Sequence, residues 1–197
     1  MGTRTLITSR DELEFIARAV ADMLATRGGG VTALPLSEAA EFRALLPDAD
    51  IITSALPVVW LDARRLTLIT DRWRISTAQL RSALEAPSFA TGRATEMELV
   101  SRHPVGWQAQ NPFGAQGTTV RVLLWTQVFL QPLGHVMVPR QRAATVDERA
   151  AFTPAQRKKL PLIRANDAVV VYLGLAPGDL LRVDRSDGSV YWRVVVP

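Results

Sequence analysis

The four residues Gln131-Pro132-Leu133-Gly134 divide the chain into two parts of different character, and this division limits the folds open to it. Up to residue 133 the sequence has 13 Arg, no Lys and 13 acidic residues, for a net charge of zero. From residue 134 onward it has 8 Arg, 2 Lys and 6 acidic residues, for a net charge of +4. Because domains usually contain about 100–200 residues, 197 residues suit one large domain or two small ones. The change at the linker favours two, residues 1–133 and 134–197.

Composition excludes several classes of protein. A hydrophobic fraction of 48% with 21% charged residues predicts a folded chain with a buried core. The sequence has no apolar run near the ~20 residues that cross a bilayer, and acids stand near its start where a secretory signal would be cationic. We therefore expect an intracellular protein with no membrane partner. With no Cys and two His, we also expect no cofactor and no metal site.

Four capping boxes predict the starts of helices. In each, a Ser or Thr side chain accepts from a backbone N–H three residues later, and a Glu or Gln there reaches back to the cap. An apolar face at helical spacing follows the first box and ends before Gly28. Ser37 is an N-cap candidate for a further helix through Leu46. The four boxes are Ser9 with Glu12, Ser76 with Gln79, Thr145 with Glu148, and Thr153 with Gln156.

Runs of β-branched and aliphatic residues predict strands, which together with the helices indicate an α+β fold. The near-continuous apolar run Val120–Phe129 favours a central strand, covered on both faces. Asp167 is expected to cap a helix that Gly174 ends, and Pro177-Gly178 fits a type II turn. The other predicted strands are Ile51–Thr53, Val58–Leu61, Leu66–Thr70, Met97–Val100, His135–Val138, Asp179–Val183 and Val190–Val196.

The segment from Leu160 to Asp179, L-P-L-I-R-A-N-D-A-V-V-V-Y-L-G-L-A-P-G-D, resembles a known family. This is a family of small subunits of DNA-directed RNA polymerase, found in archaea and, in eukaryotes, shared by the three nuclear polymerases. Its pattern is L-P-R-I-x-x-x-D-P-V-A-x-Y-L-G-x-x-x-G-[DE]-V, preceded by H-x-L-V-P-K-H. The residues that carry the resemblance are His135, Val138, Pro139, Pro161, Ile163, Asp167, Tyr172, Leu173, Gly174, Gly178 and Asp179.

This sequence departs from the family pattern at a few positions. Leu162 replaces the arginine of P-R-I, Ala168 replaces the proline after the Asp, and Gln141 replaces the second His. Ala176-Pro177 stand where basic residues are usual. The missing arginine removes any polar contact that this side chain makes in the family, whereas the fold itself is not threatened.

The N-terminal part resembles the same family through L-P-L-S-E-A-A-E-F, residues 34–42. Two domains are typical of the eukaryotic branch or of homologues from large DNA viruses, and the bias of 21 Arg to 2 Lys favours a virus with a GC-rich genome. The resemblance implies that this domain is a jaw module near downstream DNA, with a fold related to restriction endonucleases. Such nucleases need paired carboxylates and a Lys. Because the only lysines are Lys158 and Lys159, we expect an inactive domain.

The resemblance implies that the C-terminal domain docks on the largest polymerase subunit through its basic face and an exposed strand edge. Asp62 and Asp71 lie among four arginines of the N-terminal domain. This pattern favours the interpretation that these arginines are solvated turn residues, with contacts to DNA phosphates as the alternative. Arg157, Lys158 and Lys159 either complement a helix dipole or contact an acidic partner. The candidate subunit contacts are Arg157, Lys158, Lys159 and Arg164, and the candidate DNA-proximal residues are Arg64, Arg65, Arg72 and Arg74.

The hypothesis from sequence is therefore a non-catalytic polymerase subunit with no small-molecule substrate. Its partners would be the largest subunit, other polymerase subunits and, weakly and without sequence preference, downstream duplex DNA. It would act in the nucleus of a cell, or in the factory or virion of a virus. Two alternatives are a free-standing nuclease-like DNA-binding protein without activity and a regulator that mimics the subunit.

Overall fold

The computed structural model describes residues 9–28, 30–53, 55–105 and 118–197. The chain divides into two compact units, Met1–Phe129 and Leu130–Pro197, and each unit has its own β-sheet. Both sheets are accompanied by helices, which confirms the predicted α+β class. Within the described ranges, no helix has the length and apolar character needed to cross a membrane.

The N-terminal unit is built from a long first helix, a five-stranded sheet and shorter helices. One turn of 3-10 helix, Ala40–Phe42, lies between the first two strands. The elements are α1 (Arg10–Arg27), β1 (Thr32–Leu34), β2 (Val59–Asp62), β3 (Arg65–Thr70), α2 (Thr77–Leu84), α3 (Pro87–Ala90), β4 (Glu96–Ser101), β5 (Thr119–Leu124) and α4 (Trp125–Phe129).

Helix α1 begins and packs as its sequence predicts. The Ser9 side chain accepts from the Glu12 N–H, and the Glu12 carboxylate accepts from the Ser9 N–H, so the capping box is complete. The predicted apolar face is buried, and α1 ends at Arg27 before Gly28, whose φ is 75°. The buried side chains of this face include Leu13, Ile16, Val20, Met23 and Leu24.

The sheet of this unit has the order β1-β2-β3-β4-β5. Strands β1, β2 and β3 are antiparallel, whereas β3, β4 and β5 are parallel. The strand predicted at Val120–Phe129 is present up to Leu124. Its predicted central position is wrong, because β5 lies at the end of the sheet that the described residues form, and its predicted end is wrong, because the chain turns into α4 at Trp125. Two hydrogen bonds stabilise the turn: the Leu124 N–H donates to Gln127 Oε1 at 2.8 Å, and Trp125 Nε1 donates to the Val100 carbonyl at 3.0 Å.

Two local predictions in this unit are also wrong. The helix expected from Ser37 to Leu46 is reduced to turns around Ala40–Phe42, since most of its backbone bonds join residues three apart, such as Leu45 N–H to the Phe42 carbonyl at 2.8 Å. The strand expected at Ile51–Thr53 is absent from the described structure, where Ile51 is the last residue of a turn closed by the bond from its N–H to the Asp48 carbonyl. An N-cap candidate in the first case and apolar composition in the second did not distinguish these turns from regular elements.

The C-terminal unit has a four-stranded sheet in the order β6-β8-β9-β7. Strand β8 is antiparallel to both β6 and β9, and β7 pairs in parallel with β9. A turn of 3-10 helix, Pro132–Gly134, opens the unit. The elements are β6 (Arg140–Ala143), α5 (Val146–Ala150), α6 (Pro154–Arg157), β7 (Leu162–Arg164), α7 (Ala168–Leu173), β8 (Leu180–Asp184) and β9 (Val190–Val196).

Helix α7 covers one face of this sheet and forms the core of the unit with it. Buried side chains of β7, β8 and β9 pack against α7 in this core, and the partly buried Leu133, Val138 and Ala165 pack against its margin. The capping boxes of α5 and α6 form as predicted. The core side chains are Ile163, Val169, Val170, Leu173, Leu175, Leu181, Val183 and Val195.

The strand predicted at His135–Val138 is a turn instead. The Val138 N–H donates to the His135 carbonyl at 2.9 Å, which closes a β-turn, and β6 begins only at Arg140. Pro139 lacks an N–H and so cannot extend the ladder of β6 backwards. The prediction was wrong because the short apolar run Val136–Val138 fits both a strand and a turn whose tip is exposed.

Candidate functional site

Three of the family-pattern residues form the ends of α7 and the turn after it. Asp167 Oδ1 accepts from the Val169 N–H at 2.9 Å, which satisfies an otherwise unpaired donor at the helix start. Gly174 ends the helix at φ 68°, and Gly178 has φ 95°. Both values lie where side chains other than glycine are strained. These residues therefore specify the fold, as the sequence predicted.

The remaining pattern residues of this segment are structural as well. Ile163, Tyr172 and Leu173 are buried, and the Pro161 carbonyl accepts from the Val194 N–H at 2.9 Å. Asp179 Oδ2 accepts from the Ala176 N–H at 2.9 Å, and its other oxygen lies 3.3 Å from Arg149 Nη1. The carboxylate thus closes the turn before β8.

Glu148 is the centre of an ion network on the side of the sheet opposite α7. Arg142 binds both of its carboxylate oxygens at 2.7 Å, and Arg182 Nη1 binds Oε1 at 2.6 Å. Arg182 Nε also donates to Asp184 Oδ1 at 2.7 Å. The hydrogen bonds from Arg142, followed by those from Thr145 and Arg182, hold the pKa of Glu148 far below its usual range. The network attaches α5 to β6 and β8.

The same face carries an aromatic pair. Phe152 and Trp192 meet edge to face with ring centroids 5.3 Å apart, and the Arg182 guanidinium lies 5.8 Å from the Trp192 ring. Trp192 stands opposite Arg182 in the β8–β9 register. Arginines of this face are therefore engaged by the fold itself and are not simply a basic surface.

Strand β7 lies at an open edge of the described sheet. Pro161 O and Ala165 N bond to β9, and in a parallel pair alternate residues point the same way, so the N–H and C=O of Leu162 point away from β9. The Leu162 side chain is 61% exposed. An unpaired strand edge of this kind can accept a strand from another chain.

The four candidate subunit contacts are not equivalent. Arg157 is half-buried and donates to the Arg149 carbonyl at 2.5 Å, so it stabilises the α5–α6 segment. Lys158 and Lys159 are exposed just before β7, and Arg164 is exposed at its end. The open edge is therefore bracketed by cations at both ends.

The four candidate DNA-proximal arginines do not form one cluster. Arg64 and Arg65 stand at the start of β3, whereas Arg72 and Arg74 follow its end, and six residues of strand extend over about 17 Å. Arg65 and Arg72 are ion-paired, to Glu96 at 2.9 Å and to Asp48 at 3.2 Å respectively. Arg64 and Arg74 are exposed. Sequence proximity had suggested a single group.

The two glutamates of β4, Glu96 and Glu98, are paired with arginines. Glu98, with a side chain only 1% exposed, lies 2.6 Å from Arg27 Nη1 and accepts from Thr67 Oγ1 at 3.2 Å. Burial lowers the pKa of Arg121, which stands beside Glu98 in the β4–β5 register. Among the described residues no three His, Asp or Glu side chains are grouped as metal ligands. Lys, which the nuclease mechanism requires, does not occur in residues 1–133.

Comparison with known proteins identifies the C-terminal unit. The family described as RNA polymerase Rpb5, C-terminal domain, matches residues 130–195. The DNA-directed RNA polymerase subunit Rpo5 of Pyrococcus horikoshii is 40% identical in an alignment of 72 residues, covering 32% of this chain and 84% of the relative. Rpo5 of Pyrococcus abyssi, with the same coverage, is 39% identical. The chain belongs to the Rpb5 family of RNA polymerase subunits.

The departures from the Rpb5-family pattern at positions 162 and 168 fall on exposed residues. Ala168 is the first residue of α7, where proline is favoured because this N–H has no helical partner and the ring fixes a helical φ; alanine, a good helix former, is also compatible with this position. Leu162 is exposed on β7, where its change from arginine alters the surface and leaves the core intact. The exposed apolar residues Val136 and Met137 were missed from sequence, because a strand prediction would have placed one of them inside.

Proposed function

We propose that this chain is a non-catalytic structural subunit of a multisubunit DNA-directed RNA polymerase. The observation that carries the proposal is the Rpb5-type C-terminal unit, because the relatives that match it are RNA polymerase subunits by name. Its family-pattern residues cap helices and close turns instead of forming a reactive site. Such a protein acts wherever its polymerase transcribes, in the nucleus of a cell or in the factory or virion of a virus.

This chain is proposed to bind the largest subunit through the open edge of its strand β7. A partner strand would bond to Leu162 N–H and C=O, contact its exposed side chain, and place acidic groups near Lys158, Lys159 and Arg164. The excess of +4 in residues 134–197 supports an acidic partner. Because several arginines elsewhere in this unit are already ion-paired, the three cations beside β7 contribute much of the charge that remains available.

The N-terminal unit would act as an inactive jaw-type domain near downstream DNA. Its net charge of zero over residues 1–133 limits it to weak, sequence-independent backbone contacts. Arg64 and Arg74 are the exposed cations available for them among the four candidates. An endonuclease-like fold remains part of this proposal, with arginine-paired carboxylates in a unit that lacks Lys.

Affinity purification tests the function. A tagged copy expressed in its natural cells, or in infected cells, should recover both large polymerase chains in stoichiometric amounts. Recovery as a lone monomer would contradict the proposal and favour a free-standing DNA-binding protein. Recovery in substoichiometric amounts with a transcriptionally inactive polymerase would instead favour a regulator that mimics the subunit.

The docking edge is tested with a matched pair of substitutions. Leu162→Glu adds a negative charge at the open edge and should reduce recovery of the large chains by about tenfold or more, as expected for a residue central to an interface. Val190→Glu places the same charge on β9, at a side chain 41% exposed, and should leave recovery unchanged. Equal recovery of the large chains by the two variants would show that β7 is not part of the interface.

A further inference from the structure

The turn at residues 135–138 presents two apolar side chains to solvent. Val136 is 93% exposed and Met137 is 80% exposed. They occupy the two central positions of the β-turn closed by Val138 N–H and the His135 carbonyl. Gly, Pro, Asn, Asp and Ser dominate such positions, so turn chemistry does not explain a valine and a methionine there.

Both flanks of this turn are attached to the core of the C-terminal unit. Leu133 and Val138 pack against the cluster formed by α7 and the sheet. The Gly134 N–H donates to the Gln131 carbonyl at 2.8 Å, which adds a further turn immediately before it. Val136 and Met137 therefore project from an anchored base.

His135 holds the tip of the turn in place. Its Nδ1 accepts from the Met137 backbone N–H at 3.2 Å, two residues ahead. Asn and Asp side chains make the same bond in an Asx-turn. The imidazole thus reduces the conformational freedom of the tip, and a preorganised element loses less entropy on binding.

We propose that the 135–138 turn is a second docking element, with Val136 and Met137 inserting into an apolar pocket rimmed by carboxylates on another polymerase subunit. The carboxylates are inferred from Arg140, which is exposed directly after the turn and makes no ion pair with the described residues. His135 is a positioning residue. The proposal rests on the proposed function, since it takes the partner to be a polymerase subunit.

Competition for incorporation tests this proposal. A tagged full-length Val136→Ser/Met137→Ser variant and the untagged wild-type chain are expressed together, and their ratio is measured in purified polymerase. The variant should be incorporated about tenfold less, with an unchanged Tm, because both side chains are exposed in the free chain. Val146→Ser is the matched control, since Val146 is a 73% exposed apolar residue elsewhere in the same unit and should compete normally.

Two substitutions of His135 distinguish loss of the hydrogen bond to the Met137 N–H from loss of the imidazole ring itself. His135→Asn keeps an acceptor at the Nδ1 position and should be incorporated like wild type, whereas His135→Gln moves the acceptor outward and should compete poorly. Amide exchange of Met137 should be slow in the first variant and fast in the second. Equal behaviour of the two would overturn the role of His135.

The outcomes for the docking element are distinct. Normal incorporation of the Val136→Ser/Met137→Ser variant would overturn the proposal, and so would a fall in Tm that accounts for its poor incorporation, because the side chains would then be packed within the chain. If the wild-type chain itself recovers no polymerase, the proposed function fails instead.

Discussion

At the scale of single residues, Glu148 shows how one carboxylate can have two structural roles. It completes the capping box of α5 by accepting from the Thr145 N–H at 2.9 Å, and it binds Arg142 and Arg182 from neighbouring strands. The first role follows from a four-residue pattern. The second depends on strands whose arginines are six and 34 residues away in sequence.

The low pKa of Glu148 predicts a pH-dependent contribution to stability. A carboxyl whose pKa is lowered by folding stabilises the protein above its unfolded value of about 4.3 and loses that effect as the pH falls towards the folded value. Glu148→Gln should therefore lower the Tm by a few degrees at pH 7, with the difference shrinking below about pH 4. Gln also completes a capping box, so the cap is retained.

Thermal unfolding from pH 7 to pH 2 checks this expectation. Asp147→Asn is the control, because it removes the same charge one residue away, where no ion pair appears among the described contacts. A Tm difference for Glu148→Gln that persists unchanged at pH 2 would show that the carboxylate is not ion-paired.

At the scale of elements, local chemistry specifies where helices start and where turns form. All four predicted capping boxes are present, and Gly174 and Gly178 adopt the positive φ expected of them. Each of these features depends on bonds within a few residues. The failed strand predictions, at Ile51–Thr53, at the end of Val120–Phe129 and at His135–Val138, concern apolar runs whose structure depends on which neighbours cover them. The failed helix, Ser37–Leu46, had an N-cap candidate without a capping box.

Replacement of glycine by alanine is expected to have opposite effects on stability at Gly178 and Gly134. Gly178→Ala forces a Cβ into φ 95° and should destabilise the chain by about 1–2 kcal/mol, although no atom lies within 4 Å of the added group. Gly134 has ordinary φ and equally open space, so Gly134→Ala should stabilise by about 0.4–1 kcal/mol by restricting the unfolded chain.

Urea unfolding of the two glycine variants measures both effects. Folded Gly178→Ala protein should still recover polymerase, because we assign this residue to the fold and not to the interface. A change of the same sign in both variants would contradict the backbone explanation.

At the scale of the whole molecule, the net charge is divided between two units with different proposed partners. In the N-terminal unit, ion pairing within the fold neutralises several of the arginines, since Arg27, Arg65 and Arg72 are paired with carboxylates. Arg64 and Arg74 are exposed, in contrast to their ion-paired sequence neighbours Arg65 and Arg72.

This separation predicts different results for two double variants in assembled polymerase. Arg64→Gln/Arg74→Gln should leave the Tm unchanged and reduce the salt dependence of DNA retention, by about one in the slope for each phosphate that is no longer neutralised. Arg65→Gln/Arg72→Gln should cost about 0–1 kcal/mol per ion pair and leave the slope unchanged. Dissociation of elongation complexes across a salt series measures the slope, and identical slopes for wild type and Arg64→Gln/Arg74→Gln would exclude the DNA contact.

Sequence was sufficient for the features that are local or compositional. These include the helix caps, the glycine turns, the α+β class and the family resemblance of the C-terminal part, because a cap or a tight turn is decided by bonds between residues close in the chain. Tertiary structure alone decided the rest: that, among the described strands, β5 ends its sheet and β7 has a free edge, and that Val136 and Met137 are exposed on a turn. It also showed that the four N-terminal arginines are not one patch. Burial and ion pairing depend on residues brought together from distant parts of the chain, so the net charge of +4 could indicate a partner but could not locate its contacts.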